Sequence, residues 1–189
     1  MSEMSGLVGD AEIETTYAAV GRAISCWEEV EMGLAGLHSI FVGKIGDLDV
    51  IREFGQKNIT FSRRLAAVKE SGDSYFRRRC SQENEGEFKA ICMEADDRSE
   101  ARNNLAHGVV QPMIWLCDPN RPSEPIIPTT LHVVGAPWYM SGKLETVGGT
   151  GLGSYEINIL TAKFLVLSNR IHNFAARLSS QSCSSATNR

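Results

Sequence analysis

Apolar residues in the first part of the chain recur at steps of three and four. Ile13, Tyr17, Val20, Ile24, Trp27, Val30, Leu34, Leu37 and Phe41 make one stripe, which predicts a long amphipathic helix over 13–41. Asp10 stands where an N-cap belongs, and Glu12 and Glu14 suit the positive end of the helix dipole. Gly43 and Gly46 end the pattern. Gly21, Gly33 and Gly36 lie inside it and each weakens a helix by roughly 1 kcal/mol relative to Ala. Packing, with close helix approach, must therefore hold this segment.

The same periodicity recurs three times. Ile51, Phe54, Asn58, Phe61, Leu65 and Val68 predict a helix over 48–70 capped by Asp47, fading at Ser71-Gly72-Asp73. Tyr75-Phe76 and Arg77-Arg78-Arg79 then read as a further turn or a loop. Asn84 and Glu87 form a capping-box pattern ahead of a helix over 85–107. Its broad face holds Phe88, Ile91, Cys92, Ala95, Ser99, Arg102, Leu105 and Ala106, and Gly108 ends it. Ile157, Leu160, Phe164, Leu167, Ile171, Phe174 and Leu178 predict a last helix over 155–178. Lys163, Arg170 and Arg177 recur on its flank every seven residues, which reads as a solvated face.

Between the third and fourth helices the texture changes. Residues 109–153 hold all six prolines, and VVQPMIWL, TLHVV and WYMSGKLETV read as short antiparallel strands. Pro112 makes the first of these an edge strand. GGTGLG at 148–153 lacks a following Gly-Lys-Ser/Thr and a βαβ setting, so it reads as a connector rather than a phosphate loop. The fold expected is mainly α: a four-helix bundle with a small antiparallel β insertion between the third and fourth helices. Residues 10–178 form one domain, 109–153 its β-rich insertion, and 1–9 and 179–189 are flexible ends.

Composition narrows the class. The chain has 189 residues, 42% hydrophobic and 22% charged, which rules out wholesale disorder. A net charge of −4 excludes a general nucleic-acid coat but not a local basic cleft. No apolar run approaches the roughly 18–20 residues that span a bilayer, so no membrane partner is expected. The start, MSEMSGLVGDAEIE, shows no basic region followed by an apolar one. Five cysteines without a close pair suit a reducing compartment, and a cytoplasmic location is expected. His38, His107, His132 and His172 lack metal-ligand spacing. No metal and no cofactor are expected.

One cluster carries chemistry. In DDRSEARNNLAHGVV, Arg102 and His107 are separated by four residues, with Asn103 and Asn104 between them. In a regular helix they diverge by about 140°. They meet only if the helix unwinds at Gly108, or across a dimer axis with each subunit supplying a pair. Arg98 lies one turn before Arg102, and the column of cations with His107 suggests an anion site. Glu94 offsets part of the repulsion. Glu31, one turn after Trp27, is the candidate structural partner of a buried Arg102. The bland alternative is a structural Glu–Arg pair beside a helix-capping His.

The run Arg102-Asn103-Asn104-Leu105-Ala106-His107-Gly108 resembles the Arg-x4-His motif of the HEPN superfamily, helical domains of ribonuclease type. The pattern of helices extends the resemblance over most of 10–178. It implies a metal-independent endoribonuclease, a toxin or defence effector, that cleaves RNA by 2′-hydroxyl attack. Arg102, His107 and Asn103 would be the catalytic set. Arg102 would stabilise the charge on the scissile phosphate, His107 would transfer a proton, and Asn103 would position phosphate or imidazole. Arg98 and Asn104 would bind substrate. The partners implied are a second copy of the chain, RNA, and an antitoxin or other protein. The alternative is a catalytically inactive dimerisation or interaction module. The 45 residues of β-like insertion after the motif depart from the family pattern. Arg63-Arg64 and Arg77-Arg78-Arg79 add basic groups for guiding RNA: residues 1–60 carry 4 basic and 10 acidic side chains, and residues 61–110 carry 9 and 9. Trp138-Tyr139 reads as a packing pair for the insertion or a stacking platform for a base.

Overall fold

The computed structural model describes residues 9–79, 81–112, 132–135 and 151–186. They form helices α1 (Ile13–Phe41), α2 (Leu48–Lys57), α3 (Phe61–Arg79) and α4 (Gln82–His107), strands β1 (Val109–Pro112) and β2 (His132–Gly135), and helix α5 (Ser154–Ala186). The chain is mainly helical with one small antiparallel sheet. The chain divides into two compact units. One comprises Met1–Ile24 and Ala101–Thr161; the other comprises Ser25–Glu100 and Ala162–Arg189.

In the second unit the helices alternate in direction. Glu31 meets Arg64 and His38 meets Ser71, a constant offset that sets α1 and α3 parallel. The short α2 is the return stroke between them, and its one fully buried side chain, Phe54, lies on the His38 ring at 4.8 Å. Gly72 approaches Phe88, and Lys69 meets Asp96 at 3.7 Å, so α4 runs antiparallel to α3. Glu94 pairs with Arg170, and Glu87 with Arg177, so α5 runs antiparallel to α4. Trp27 sits fully buried between Phe61 and Phe164, at 5.0 and 5.1 Å.

In the second unit, four features differ from the pattern-based expectation. The helix predicted over 48–70 is two helices. Asn58 caps α2, its backbone N–H and side-chain amide both donating to the Phe54 carbonyl. Ser71-Gly72-Asp73 does not end α3, which runs on to Arg79. Gly72 is buried where a Cβ would lie 2.3 Å from Phe88 Cε1, so it serves close packing. Arg170 and Arg177 are not a free solvated flank; they answer Glu94 and Glu87, also seven residues apart. The Ser-rich tail continues α5 to Ala186.

The end of α1 follows the expected glycine stop. Gly43 has a φ of +77°, its N–H donates to the Ile40 carbonyl, and the Lys44 N–H donates to that of Ser39. These two bonds make a Schellman cap. Of the three glycines inside α1, Gly33 meets the close approach, with Ile171 Cγ2 at 2.8 Å from a built Cβ, whereas Gly21 and Gly36 face open space.

In the first unit, β1 pairs with β2 in antiparallel register, Val109 opposite Gly135 and Pro112 opposite His132. The other edge of β2 is met by two isolated bridges, Asp10 to His132 and Leu152 to Val134. Among the described residues β1 pairs with β2 alone, the arrangement that Pro112 suits. The third expected strand, 138–147, and Trp138-Tyr139 lie outside the described residues. α1 begins at Ile13 rather than on an Asp10 cap, and its early buried face is Thr16, Ala19 and Ala23, with Tyr17 55% exposed. The stripe through Tyr17, Val20 and Ile24 is thus displaced by one residue before Trp27.

Substitutions at two glycines should separate packing from propensity. Gly72→Ala should destabilise by about 1–3 kcal/mol through overpacking against Phe88. Gly36→Ala should stabilise by roughly 0.5–1 kcal/mol, because an open helical site gains alanine's propensity. Urea denaturation of each variant checks both signs.

Candidate functional site

α4 positions the motif. Its N-terminus is set by Ser81, whose carbonyl accepts from the Glu85 N–H and whose hydroxyl accepts from Asn84 Nδ2 at 2.9 Å. Phe88, Ile91, Cys92 and Ala95 bury one face in the second unit. Past Ala101 the helix belongs to the first unit, where Leu105 is buried and Asn103, Asn104 and His107 are exposed. Arg102 is half-buried, and its Nη1 donates to Asn103 Oδ1 at 3.1 Å. That bond ties the first amide of the motif to the guanidinium.

Helical geometry persists through His107. Gly108 then turns the chain into β1, and only a glycine fits there. A Cβ would lie 2.4 Å from Val134 Cγ1 and 2.8 Å from the Gly135 carbonyl oxygen. The end of α4 is therefore clamped against β2 rather than unwound. Arg102 and His107 keep the divergence of about 140° that five helical steps give.

Arg98 and Glu31 belong to the second unit. Arg98 donates through Nη2 and Nε to Glu94 Oε1, at 2.6 and 3.1 Å, while Glu94 Oε2 accepts from Arg170 at 2.9 Å. Burial pushes the Glu94 carboxyl up, but the two arginines outweigh it and hold the group below its ordinary range. Glu31, 5% exposed, accepts from the Trp27 indole at 2.6 Å and from Arg64. Arg64 of the Arg63-Arg64 pair is thus committed to an internal ion pair.

A second polar constellation escaped the sequence pattern. The Asp10 carboxylate accepts from Thr16 Oγ1 at 2.6 Å, from Ser154 Oγ at 2.5 Å and from the Ser154 N–H at 2.9 Å. Its backbone pairs with His132 in both directions, at 2.7 and 2.9 Å. Burial raises the Asp10 pKa, but the bonds from Ser154 and Thr16 and the charge of His132 more than reverse it, leaving it lowered. Glu156 Oε2 accepts from the Gly153 N–H at 3.1 Å, half of a capping box. The start of α5 is thus filled by two internal carboxylates. This agrees with a connector in the described part of GGTGLG, Gly151 to Gly153.

Cys26 and Cys92 are free, and burial lifts the Cys92 thiol to about 12. Among the described residues, no three His, Cys, Asp or Glu side chains group as metal ligands, and no helix is long and apolar enough to cross a membrane. No family model, curated protein or solved structure matches the chain.

The Asp10 cluster carries a pH signature. A lowered carboxyl pKa contributes stability above its unfolded value near 3.9, and that stability is lost as pH falls through the folded value. Asp10→Ala should cost about 1–3 kcal/mol near pH 7, for the lost bonds and a stranded helix-start N–H. The gap from wild type should close below about pH 4. Denaturation at pH 7, 5 and 3.5 checks it.

Proposed function

We propose that the chain is a metal-independent endoribonuclease of HEPN type that acts as a homodimer. The observation that carries this reading is the surface at the end of α4. There Arg102, Asn103, Asn104 and His107 lie on consecutive turns, with three of the four exposed and Arg102 oriented by Asn103. A guanidinium stays charged at any working pH and offers a fork of donors to phosphate oxygens. An imidazole exchanges protons near neutrality.

In the reaction, the RNA 2′-oxygen attacks the adjacent phosphorus and the bond to the 5′-oxygen breaks. The products are a 2′,3′-cyclic phosphate and a 5′-hydroxyl. His107 takes the 2′-proton or supplies one to the leaving oxygen. Arg102 stabilises the charge that builds on the non-bridging oxygens. Asn103 fixes the guanidinium, and Asn104 contacts the flanking backbone. The divergence of Arg102 and His107 on one regular helix favours a site completed by a second copy, in which one chain's Arg102 works with the other's His107. The resemblance extends the reading to a toxin or defence effector working in the cytoplasm and restrained by an antitoxin or other protein.

That same divergence also favours a second reading, a catalytically silent module whose motif serves dimerisation. Cleavage of labelled single-stranded and structured RNAs in EDTA separates the two. An active enzyme should lose about 10²–10⁴-fold on His107→Ala and about 10²–10³-fold on Arg102→Ala. An equal mixture of the two variants should regain activity through mixed dimers with one intact composite site. A folded wild type that leaves every RNA uncut retires the enzyme. A stable monomer by light scattering at tens of micromolar retires the composite site.

A further inference from the structure

His38 lies in the last turn of α1, half-buried, with a neighbour on each of two other helices. Its ring lies on that of Phe54 from α2, with centroids 4.8 Å apart and planes at 32°, and its Nδ1 is 3.1 Å from Ser71 Oγ of α3. We propose that His38 is a proton-operated latch for α2: the neutral imidazole holds the helix closed, and protonation in mildly acidic solution lets it swing away. The latch lies wholly within the second unit and does not depend on the ribonuclease reading.

The hydrogen bonds fix where the proton goes. Ser71 Oγ donates its one proton to the Val68 carbonyl at 3.0 Å. It therefore accepts from His38, which places the hydrogen of the neutral ring on Nδ1. A second proton enters at Nε2. Among the described residues no carboxylate meets it there, because the charges of the adjoining elements are engaged elsewhere. On α2 Asp49 pairs with Arg52 and Glu53 with Lys57; on α3 Arg64 pairs with Glu31 and Lys69 with Asp96. Lys44 on the turn after α1, and Glu70 and Asp73 on either side of Ser71, are exposed. Burial alone moves the His38 pKa, and it moves it down. The last carbonyls of α1, those of His38, Ser39 and Ile40, accept from Val42, Lys44 and Gly43. Phe54 offers a ring face but no acceptor. The imidazolium thus finds no acceptor for its Nε2 proton among the described residues, and hydration favours the arrangement with Phe54 moved off.

α2 is lightly held. Phe54 is its one buried side chain, and both of its own ion pairs lie within the helix. The turn that joins it to α1 contains Gly43 and Gly46, at φ of +77° and +71°. Its far end is tied down, because Arg64 Nε donates to the Asn58 carbonyl at 2.8 Å. Release of Phe54 therefore frees a ten-residue helix about a fixed C-terminal end and leaves the Glu31–Arg64 pair in place. Such a local opening costs less than global unfolding. A histidine whose pKa is lowered by folding contributes stability above its unfolded value near 6.5, and that stability is lost as pH falls through the folded value. The latch is thus closed at neutral pH and opens on the acid side.

The test is hydrogen exchange of the full chain, read by mass spectrometry at about pH 7.5 and about pH 5.5, on either side of the ordinary histidine value, and corrected for intrinsic rates. In wild type the protection of the α2 amides should fall severalfold at the lower pH, while that of α3 and α5 holds. His38→Phe keeps a ring against Phe54 and takes no proton, and Ser71 keeps its bond to Val68. Its α2 should be equally protected at both pH values. His38→Asn keeps a donor near the place of Nδ1 but loses the ring, so its α2 should be poorly protected at both. An NMR titration of the wild-type chain adds a reading without a variant: the His38 ring should titrate below 6.5, and the α2 amide shifts should move over the same pH range. A wild-type α2 whose protection ignores pH overturns the latch. So does a pH response that persists in His38→Phe, an equal loss of protection in every helix, or a His38 ring that titrates at or above 6.5. Full protection of α2 in His38→Asn overturns it as well, because the ring stack would then not be what holds the helix.

Discussion

The second unit depends on one buried carboxylate. Glu31 lies in the middle of α1 and is 5% exposed. An isolated carboxylate there would cost far more than the domain's margin of stability. It is held by the Trp27 indole N–H and by Arg64 in the first turn of α3. Arg64 also donates through Nε to the Asn58 carbonyl at 2.8 Å, while Asn58 caps α2. One guanidinium thus couples the middle of α1, the end of α2 and the start of α3. Removing one partner of such a pair typically costs about 3–5 kcal/mol; the lower part of that range applies here because the Arg64 side chain remains 26% exposed. The same arrangement sets Trp27 between Phe61 and Phe164, so the polar tie and the largest apolar contact share one residue.

The first unit has its own hub, and it is again a carboxylate with internal donors. Asp10 joins the Thr16 hydroxyl, the N-terminus of α5 and, through its backbone, the free edge of β2. These groups are remote in sequence, so the chain pays loop-closure entropy that grows only slowly with loop length. In return an edge is closed that would otherwise show unpaired N–H and C=O groups. The helix start is neutralised by the protein's own anions, which separates this glycine-rich turn from phosphate-binding loops of similar composition.

Local signals were legible and long-range ones were not. The bounds of α1 could be read because its stripe, its glycine stop and its flanking acids agree. The break between α2 and α3 could not, because Phe54, Asn58, Phe61 and Leu65 keep helical spacing through the corner; only Asn58 at a core position hinted at a cap. Counting Tyr17, Val20 and Ile24 as the inner face overlooked Thr16, Ala19 and Ala23. Alanine scores weakly as an apolar residue, and the Thr16 hydroxyl is buried only because Asp10 accepts from it. The partners of Arg170 and Arg177 were visible as spacing, since Glu87 and Glu94 share the interval of seven, but pairing two ladders requires knowing which helices touch. In the candidate site, the motif residues and their place at the end of α4 could be read. The regularity of the last turn could not, because Gly108 reads as a stop whether the helix frays or is clamped.

That clamp decides how the motif can work. A frayed end would let His107 swing toward Arg102 at the cost of a few backbone hydrogen bonds. Here Gly108 is pressed against Val134 and the Gly135 carbonyl, so moving His107 also means displacing β2. β2 is in turn held by β1 on one edge and by Asp10 and Leu152 on the other. The β1–β2 pair therefore acts as a brace for the end of α4. Rigid placement of catalytic groups favours proximity catalysis only when the groups already converge. On one helix at 140° they do not. In the proposed dimer, an axis near the end of α4 would bring each arginine toward the opposite histidine at no cost in sequence. The rigidity that works against a single-chain site suits the proposed site shared between two chains.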